Sequence, residues 1–544
     1  MDGQKNLDET QGLGENQDGK QDGKQDEKQY PPFKIVLPAM AAIWLTFFLI
    51  ALDRTILGTA IPSISQDFNS FGDIAWYEAG FLLPLCVLQL SFGLVYKYYS
   101  TKWVLISLVA VFEVGSVVCA AAPTSNALIV GRVITGVGGA GISVGTFLLI
   151  TFLVPLESRP KYIGAIGSVF GITSAIGPIL GGYLTSVTWR WCFWINLPIG
   201  IVSLILLVLL APKTPPVERR ADTWLGKAKQ LDLLGFFLIA PAVICLLFAL
   251  EWGGTKYPWS NGRIIALFVI FGVLGLSFVA SQVWRQENAT VPPRIFRNRS
   301  IFAGCFAYVG SGSALVIFSF YLPIWFQVVQ DKSPQDSGIS LLPLLLSIVV
   351  TVIGSGIATS AIGYYTPLMI IGSALLVVGS ALSTLRQPDI STGASVGYQI
   401  VTGIGFGLGL QQPNVAAQTV MSNNDISIAL SLLNFVNFLG STIFITTSQT
   451  LLEGELVRGL GGIIPNLDAS TLANGGASSL RSMVPADMLP VVLDVYNNSI
   501  RSIWYLALAL ACLSFVASLG MEWKSVKAKK DGTDKKEETT AVAV

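Results

Sequence analysis

Apolar residues in this chain gather in long runs instead of alternating with polar ones. Runs of roughly twenty residues recur at about 37–61, 76–96, 103–122, 127–153, 161–184, 191–211, 231–250, 262–284, 300–326, 338–360, 367–385, 393–420, 427–451 and 501–521. Each is long enough to cross the roughly 30 Å apolar layer of a bilayer as a helix. Backbone groups in lipid must be satisfied within the segment, which favours helices over open strands. The pattern predicts an all-α membrane protein with about fourteen transmembrane helices. Residues 1–36, with the short repeat "QDGKQDGKQDEKQ", and residues 522–544 read as disordered polar tails and not as targeting segments. The longest loop between runs, 452–500, is partly Gly- and Ser-rich.

An even number of crossings puts both termini on one face. With the termini inside, the inside segments hold 24 of the 34 Lys and Arg residues and the outside loops about 8. One miscounted helix would scramble this alternation, so the bias supports cytoplasmic termini and the span count together. Of three sequons, Asn288 and Asn298 then fall inside. Asn497 falls outside, within a few residues of a run, and its glycosylation stays open. Six runs, two runs and six runs divide the chain into an N-terminal six-helix bundle (37–211), a linker with two extra helices (212–299) and a C-terminal six-helix bundle (300–521). Two such halves around a midplane site are the plan of a secondary transporter. A receptor or membrane enzyme is the alternative.

Composition narrows the choice. The chain is 52% hydrophobic and 12% charged, about half the charge of a soluble domain. A net charge of +1 suggests no nucleic-acid partner. The six Cys lie in or beside apolar runs with no metal-ligand or disulfide spacing. There is no His, so a proton carrier has to be a carboxylate. No nucleophile–base set, metal cluster or cofactor motif is present; "GVGGAG" at 136–141 lies within a run and follows no strand, unlike a phosphate loop.

Charges inside the runs are the candidate chemistry. Asp53 lies about sixteen residues into the first run, ~24 Å from its inner end. Arg132 lies about six residues into the fourth, which runs inward, ~9 Å from its outer end. Both therefore occupy the outer half of the bilayer. An intramembrane arginine costs about 2.5–3.5 kcal/mol on insertion scales, and snorkelling to the surface is its bland explanation. A carboxylate near a mobile cation can bind and release a proton as a gate exposes it to either side; simple exposure of Asp53 to outer water is the alternative. Arg54 points about 100° away from Asp53 on a helix and is not its partner. Glu113, about ten residues into the third run, is a second candidate for proton coupling, with a structural hydrogen bond as its alternative. Glu78 and Glu251 read as interfacial. Gln411, Gln412, Asn414 and Gln418 in the twelfth run, Asn434 and Asn437 in the thirteenth, and Phe318, Tyr321, Trp325 and Gln327 in the ninth could line an uncharged, adaptable substrate cavity, or simply pack.

The fifth run reads "GSVFGITSAIGPILGG". Gly167, Gly171, Gly177, Gly181 and Gly182 permit close approach of another helix, and Pro178 removes one helical hydrogen bond and allows a bend. The set suggests a hinge. It resembles the antiporter motif that major facilitator superfamily exporters carry in their fifth span. "LDRTILGTAIPSI" (52–64) resembles the first-span motif of the fourteen-helix drug:proton antiporters. "GRVITGVGGAGI" (131–142) resembles their fourth-span motif around a buried arginine, and "WRWCFWINLPIG" (189–200) their sixth-span signature. These motifs cover the first half in order. The second half agrees mainly through its spans and "GIGFGLGLQQPNVAAQT". The set is most similar to fungal toxin and multidrug exporters.

The resemblance implies proton-coupled efflux of amphipathic small molecules by alternating access, without ATP or another cofactor. It implies a coupling or gating role for Arg132, a plasma-membrane location with the vacuolar membrane as alternative, and a monomer whose partners are substrate, protons and lipid. One motif departs. The superfamily loop after span two reads G-x-L-x-D-R-x-G-R-K, and here it is "GLVYKYYSTK". Gly93 and Lys102 keep their places, but Lys97 stands at the aspartate position, so this gating loop cannot latch in the usual way. An importer or symporter of the same fold, for example for siderophores, and a non-transporting sensor remain the rival functions.

Overall fold

The computed structural model describes residues 30–70, 73–214, 218, 221–254, 257–460 and 488–527. The expectations for most of both tails and for residues 461–487 of the long loop fall outside the described residues. Helices dominate the described residues, joined by turns and short irregular segments, and the only β pairing among them is two isolated bridges. The long helices are α1 (Phe33–Asp67), α2 (Ile74–Tyr98), α3 (Thr101–Ala120), α4 (Ser125–Leu153), α5 (Arg159–Val187), α6 (Asn196–Leu210, after a short turn Trp191–Trp194), α7 (Leu233–Trp252) and α8 (Gly262–Arg285). They continue with α9 (Arg299–Val328), α10 (Pro334–Ile362), α11 (Thr366–Thr384), α12 (Thr392–Gly409), α13 (Gln412–Val420), α14 (Ile426–Leu460) and α15 (Leu489–Leu519).

Thirteen helices among the described residues are long and apolar enough to cross a membrane. The sequence pattern predicts fourteen. The difference is the twelfth run, which breaks at Leu410 and Gln411 into α12 and α13. Pro413 sits in the first turn of α13, where its missing N–H costs nothing, and the amides around it keep that stretch less apolar than its neighbours.

Helix ends are closed by side chains where the sequence supplies them. Thr124 accepts from the Ala127 N–H, Ser391 from the Ala394 N–H, and Ser333 from the Asp336 N–H. Asn298, one of the sequons, caps α9 through the Ser300 and Ile301 N–H groups. Gly363 ends α10 with φ +92°, a conformation that other residues rarely adopt.

Packing sorts the helices into groups. α4 lies against α2 and α3, and α1 against α5 and α6. Later in the chain, α9 lies against α14 and α15, and α11 and α10 both lie against α12. α7 and α8 pack on each other, with α7 also touching α2 and α14. The outward face of α8 presents Ile265, Val269, Val273 and Leu276, as suits a lipid-facing helix. At the face where α1 begins, called here the tail face, Asp232 anchors this pair. Its carboxylate accepts from the Gly235 and Thr290 N–H groups, the Thr290 hydroxyl, Gln282 and Arg285.

Candidate functional site

The charges inside α1 and α4 meet. Asp53 and Arg132 are both fully enclosed, and Arg132 Nη1 donates to Asp53 Oδ2 in an ion pair. Arg132 also donates from Nε to the Tyr77 carbonyl at 2.9 Å and stacks its guanidinium 4.7 Å from the Phe81 ring centre. The planar fork thus spans α1 and α2 at once, with donors held in fixed directions that a lysine's single ammonium lacks. Asp53 takes a second donor from α6: Asn196 Nδ2 reaches Asp53 Oδ1 at 3.2 Å and Ser116 Oγ of α3 at 3.3 Å. Sequence reasoning missed Asn196 and Ser116. The available signal was a lone amide in the apolar sixth run.

Arg54 turns away from Asp53, its guanidinium 5.8 Å from the Phe438 ring centre on α14. Glu113 is buried against Gly200 of α6, and neither carboxyl oxygen has a hydrogen-bond partner.

A seam of small residues joins the two groups of helices. A Cβ on Gly164 would lie 2.6 Å from the Val352 carbonyl of α10, and one on Gly171 2.6 Å from the Val349 side chain. Gly167 faces Gln411, and Gly356 of α10 abuts the Pro160 carbonyl of α5. These contacts lie towards the tail face. Farther along the same stripes, Gly182 on α5 and Gly338 on α10 have no atom within 4 Å of their added Cβ. The two helices therefore touch near the tail face and diverge towards the opposite face. Gly177 and Gly181 instead pack on Thr55, Ile56 and Thr59 of α1.

The tail-face closure continues at Gly93, where a Cβ would stand 2.6 Å from Ser431 Oγ of α14, and at Gln418, whose Nε2 donates to the Phe147 carbonyl of α4 at 3.1 Å. Lys97 pairs with Glu218 at 3.0 Å. Lys102 Nζ donates to the Val208 and Ala211 carbonyls at the end of α6. Asp425, just before α14, holds Arg294 through two bonds of 2.6 and 2.9 Å. Burial opposes ionisation of Asp425, but hydrogen bonds from Arg294 and Ser422 and the positive charges of Arg294 and Lys97 outweigh it and keep the carboxyl below its ordinary range.

The amide and aromatic candidates separate. Gln411 faces α5 across the seam, and Asn414 donates to Tyr308 at 2.7 Å and to Gln411 at 3.0 Å. Asn434 Nδ2 and Asn437 Oδ1 are buried without partners. Tyr321 meets Gln449 of α14 at 3.2 Å. Gln412 is enclosed with Thr359, and Trp325 donates to Asn497 at 2.7 Å within the C-terminal helices. No group of three or more His, Cys, Asp or Glu that could hold a metal occurs among the described residues.

Comparison with known proteins adds a lineage to this geometry. The family profile described as Major Facilitator Superfamily matches residues 43–445. An MFS-type efflux pump of Arthroderma benhamiae is 44% identical over 487 residues, covering 89% of this chain and 91% of its own. The efflux pump roqT of Penicillium rubens is 42% identical over 92% of both chains. Among solved structures, the proton:xylose symporter XylE aligns with a TM-score of 0.58 at 12% identity, over 91% of this chain and 98% of its own. The human organic anion transporter MFSD10 aligns at 0.55 with 15% identity, over 88% and 100%. These two share the fold.

Proposed function

The chain belongs to the major facilitator superfamily, and on that premise we propose that it is a proton-coupled exporter of amphipathic small molecules working by alternating access. The observation that carries this reading is the enclosed Asp53–Arg132 pair, tied to α1, α2, α4 and α6 in a protein without histidine. Protonating Asp53 removes the only carboxylate bonded to Arg132 among the described residues. A buried pair broken on one side costs about 3–5 kcal/mol. One charge crossing against 100 mV involves about 2.3 kcal/mol. The two are of the same order, so arrival of a proton can shift the balance between two packings of the same helices.

In this reading the tail face is cytoplasmic and the membrane is the plasma membrane, with the vacuolar membrane as alternative. With the far face open, Asp53 takes a proton from outside as substrate leaves. With the tail face open, it gives the proton to the cytoplasm as substrate binds. The α5–α10 glycine seam is the surface that opens and closes. Gln411, Gln412, Asn414, Asn434, Asn437, Tyr321 and Trp325 are the uncharged groups that substrate meets as the helices part. The relatives named as efflux pumps support the outward direction. The test is accumulation of a panel of amphipathic dyes, drugs and fungal toxins in cells with and without the protein, across an imposed pH gradient. Lower accumulation that vanishes when the gradient is collapsed supports export. Unchanged accumulation across the panel refutes it, and increased accumulation indicates import.

A further inference from the structure

Glu113 is more than nine-tenths buried in a helix that crosses the membrane, and neither of its carboxyl oxygens has a hydrogen-bond partner. The structural hydrogen bond that would explain such a residue is therefore missing. An ionised carboxylate stripped of water and left unpaired costs several kcal/mol, which a group escapes by staying protonated. Its surroundings are specific. α6 makes room for the carboxyl with Gly200, where any Cβ would overlap Oε1. Gly200 is one turn from Asn196, and Glu113 is one turn from Ser116, each step about 5 Å along its helix. Asn196 joins Ser116 to Asp53. Glu113 thus lies one turn from a hydrogen-bonded link to Asp53. The charged groups on the elements packed against α3 are few: α4 carries Arg132, α2 carries Glu78 and Lys97 towards its ends, α6 carries none and the turn before it only the thiol of Cys192, while Asp53 of α1 is joined through Asn196 and Arg54 is turned to Phe438.

We propose that Glu113 is a second exchangeable proton site of the transport cycle, a neutral acid that trades its proton with Asp53 when the site opens to water, the Ser116–Asn196 link holding their helices together. The exchange balances. A proton leaving Glu113 for Asp53 converts Asp53 from carboxylate to acid and Glu113 from acid to carboxylate, and Arg132 stays charged throughout. The negative charge moves from α1 to α3 while the cluster's total charge is unchanged.

This inference rests on the reading of Asp53 as the coupling group, and its test separates the two. Purified protein in lipid nanodiscs is titrated with protons alone, and the infrared carbonyl band of protonated carboxyls is followed. At neutral pH the wild type is expected to show such a band, lost in Glu113→Gln and kept in Asp53→Asn. Its titration midpoint is expected to move in Asp53→Asn, because the neighbouring charge is gone. Gly200→Ala, which keeps Glu113 but fills its space, is expected to shift the band, and it serves if the Gln variant misfolds. A band unchanged in Glu113→Gln, or a midpoint identical in wild type and Asp53→Asn, overturns the proposal. Neither result touches Asp53, whose own reading fails only if Asp53→Asn keeps coupled export.

Discussion

At the scale of single residues, partners decide what a polar group in the bilayer can do. Asp53 and Arg132 sit at matching depth, and depth can be counted along a sequence, so their candidacy was legible before any fold. Asn196 was not, because its partner is 143 positions away and an amide has no periodic signature. Asn497 makes the same point for modification. As a sequon it reads as a possible glycan site, but its side chain is buried, accepting from Trp325 Nε1 and donating to the Arg386 carbonyl. Deglycosylating enzyme is therefore expected to leave the protein's gel mobility unchanged. Asn497→Ala should lower thermal stability by about 1–3 kcal/mol through the unpaired indole N–H and carbonyl.

At the scale of helices, the seam between α5 and α10 gives two opposite expectations for small substitutions. Gly356→Leu meets the Pro160 backbone, which cannot move without its helix. It is expected to force the tail face open, seen as increased labelling of a cysteine introduced there. Gly182→Leu meets nothing in this arrangement. It should fold with unchanged stability and yet block transport, because in the proposed alternating-access cycle the α5 and α10 stripes close at that end. Full transport by Gly182→Leu would argue against that closure. The fifth-run glycines were legible as a close-packing face. Their division was not: Gly167 and Gly171 serve α10 and its neighbour, while Gly177 and Gly181 serve α1. The break at Leu410 and Gln411 was hidden for another reason. "GLGLQQPN" is itself polar, but the apolar residues before and after it let 393–420 read as one span, and only Pro413 hints at a second start.

At the scale of the whole molecule, charges at the helix ends hold the tail face, while the enclosed charges are the ones proposed to carry protons. The Arg294–Asp425 tie illustrates the first role. A carboxyl whose folded pKa is depressed stabilises fully above its unfolded value, about 3.9 for aspartate, and loses that contribution only as pH falls through the folded value. The tie is therefore expected to contribute equally from about pH 5 to 8. Asp425→Asn should lower stability by a pH-independent amount, about 1.5–3 kcal/mol at most, reduced because Arg294 is half exposed. On the proposed reading, dependence of transport on pH in that window comes from carboxyls within the helices and not from this tie. The most direct measurement is export of an identified substrate by Asp53→Asn in proteoliposomes, with and without an imposed pH gradient. The variant is expected to bind and exchange substrate while losing gradient-driven export by at least tenfold. Gradient-driven export at the wild-type rate would contradict Asp53 as the proton carrier.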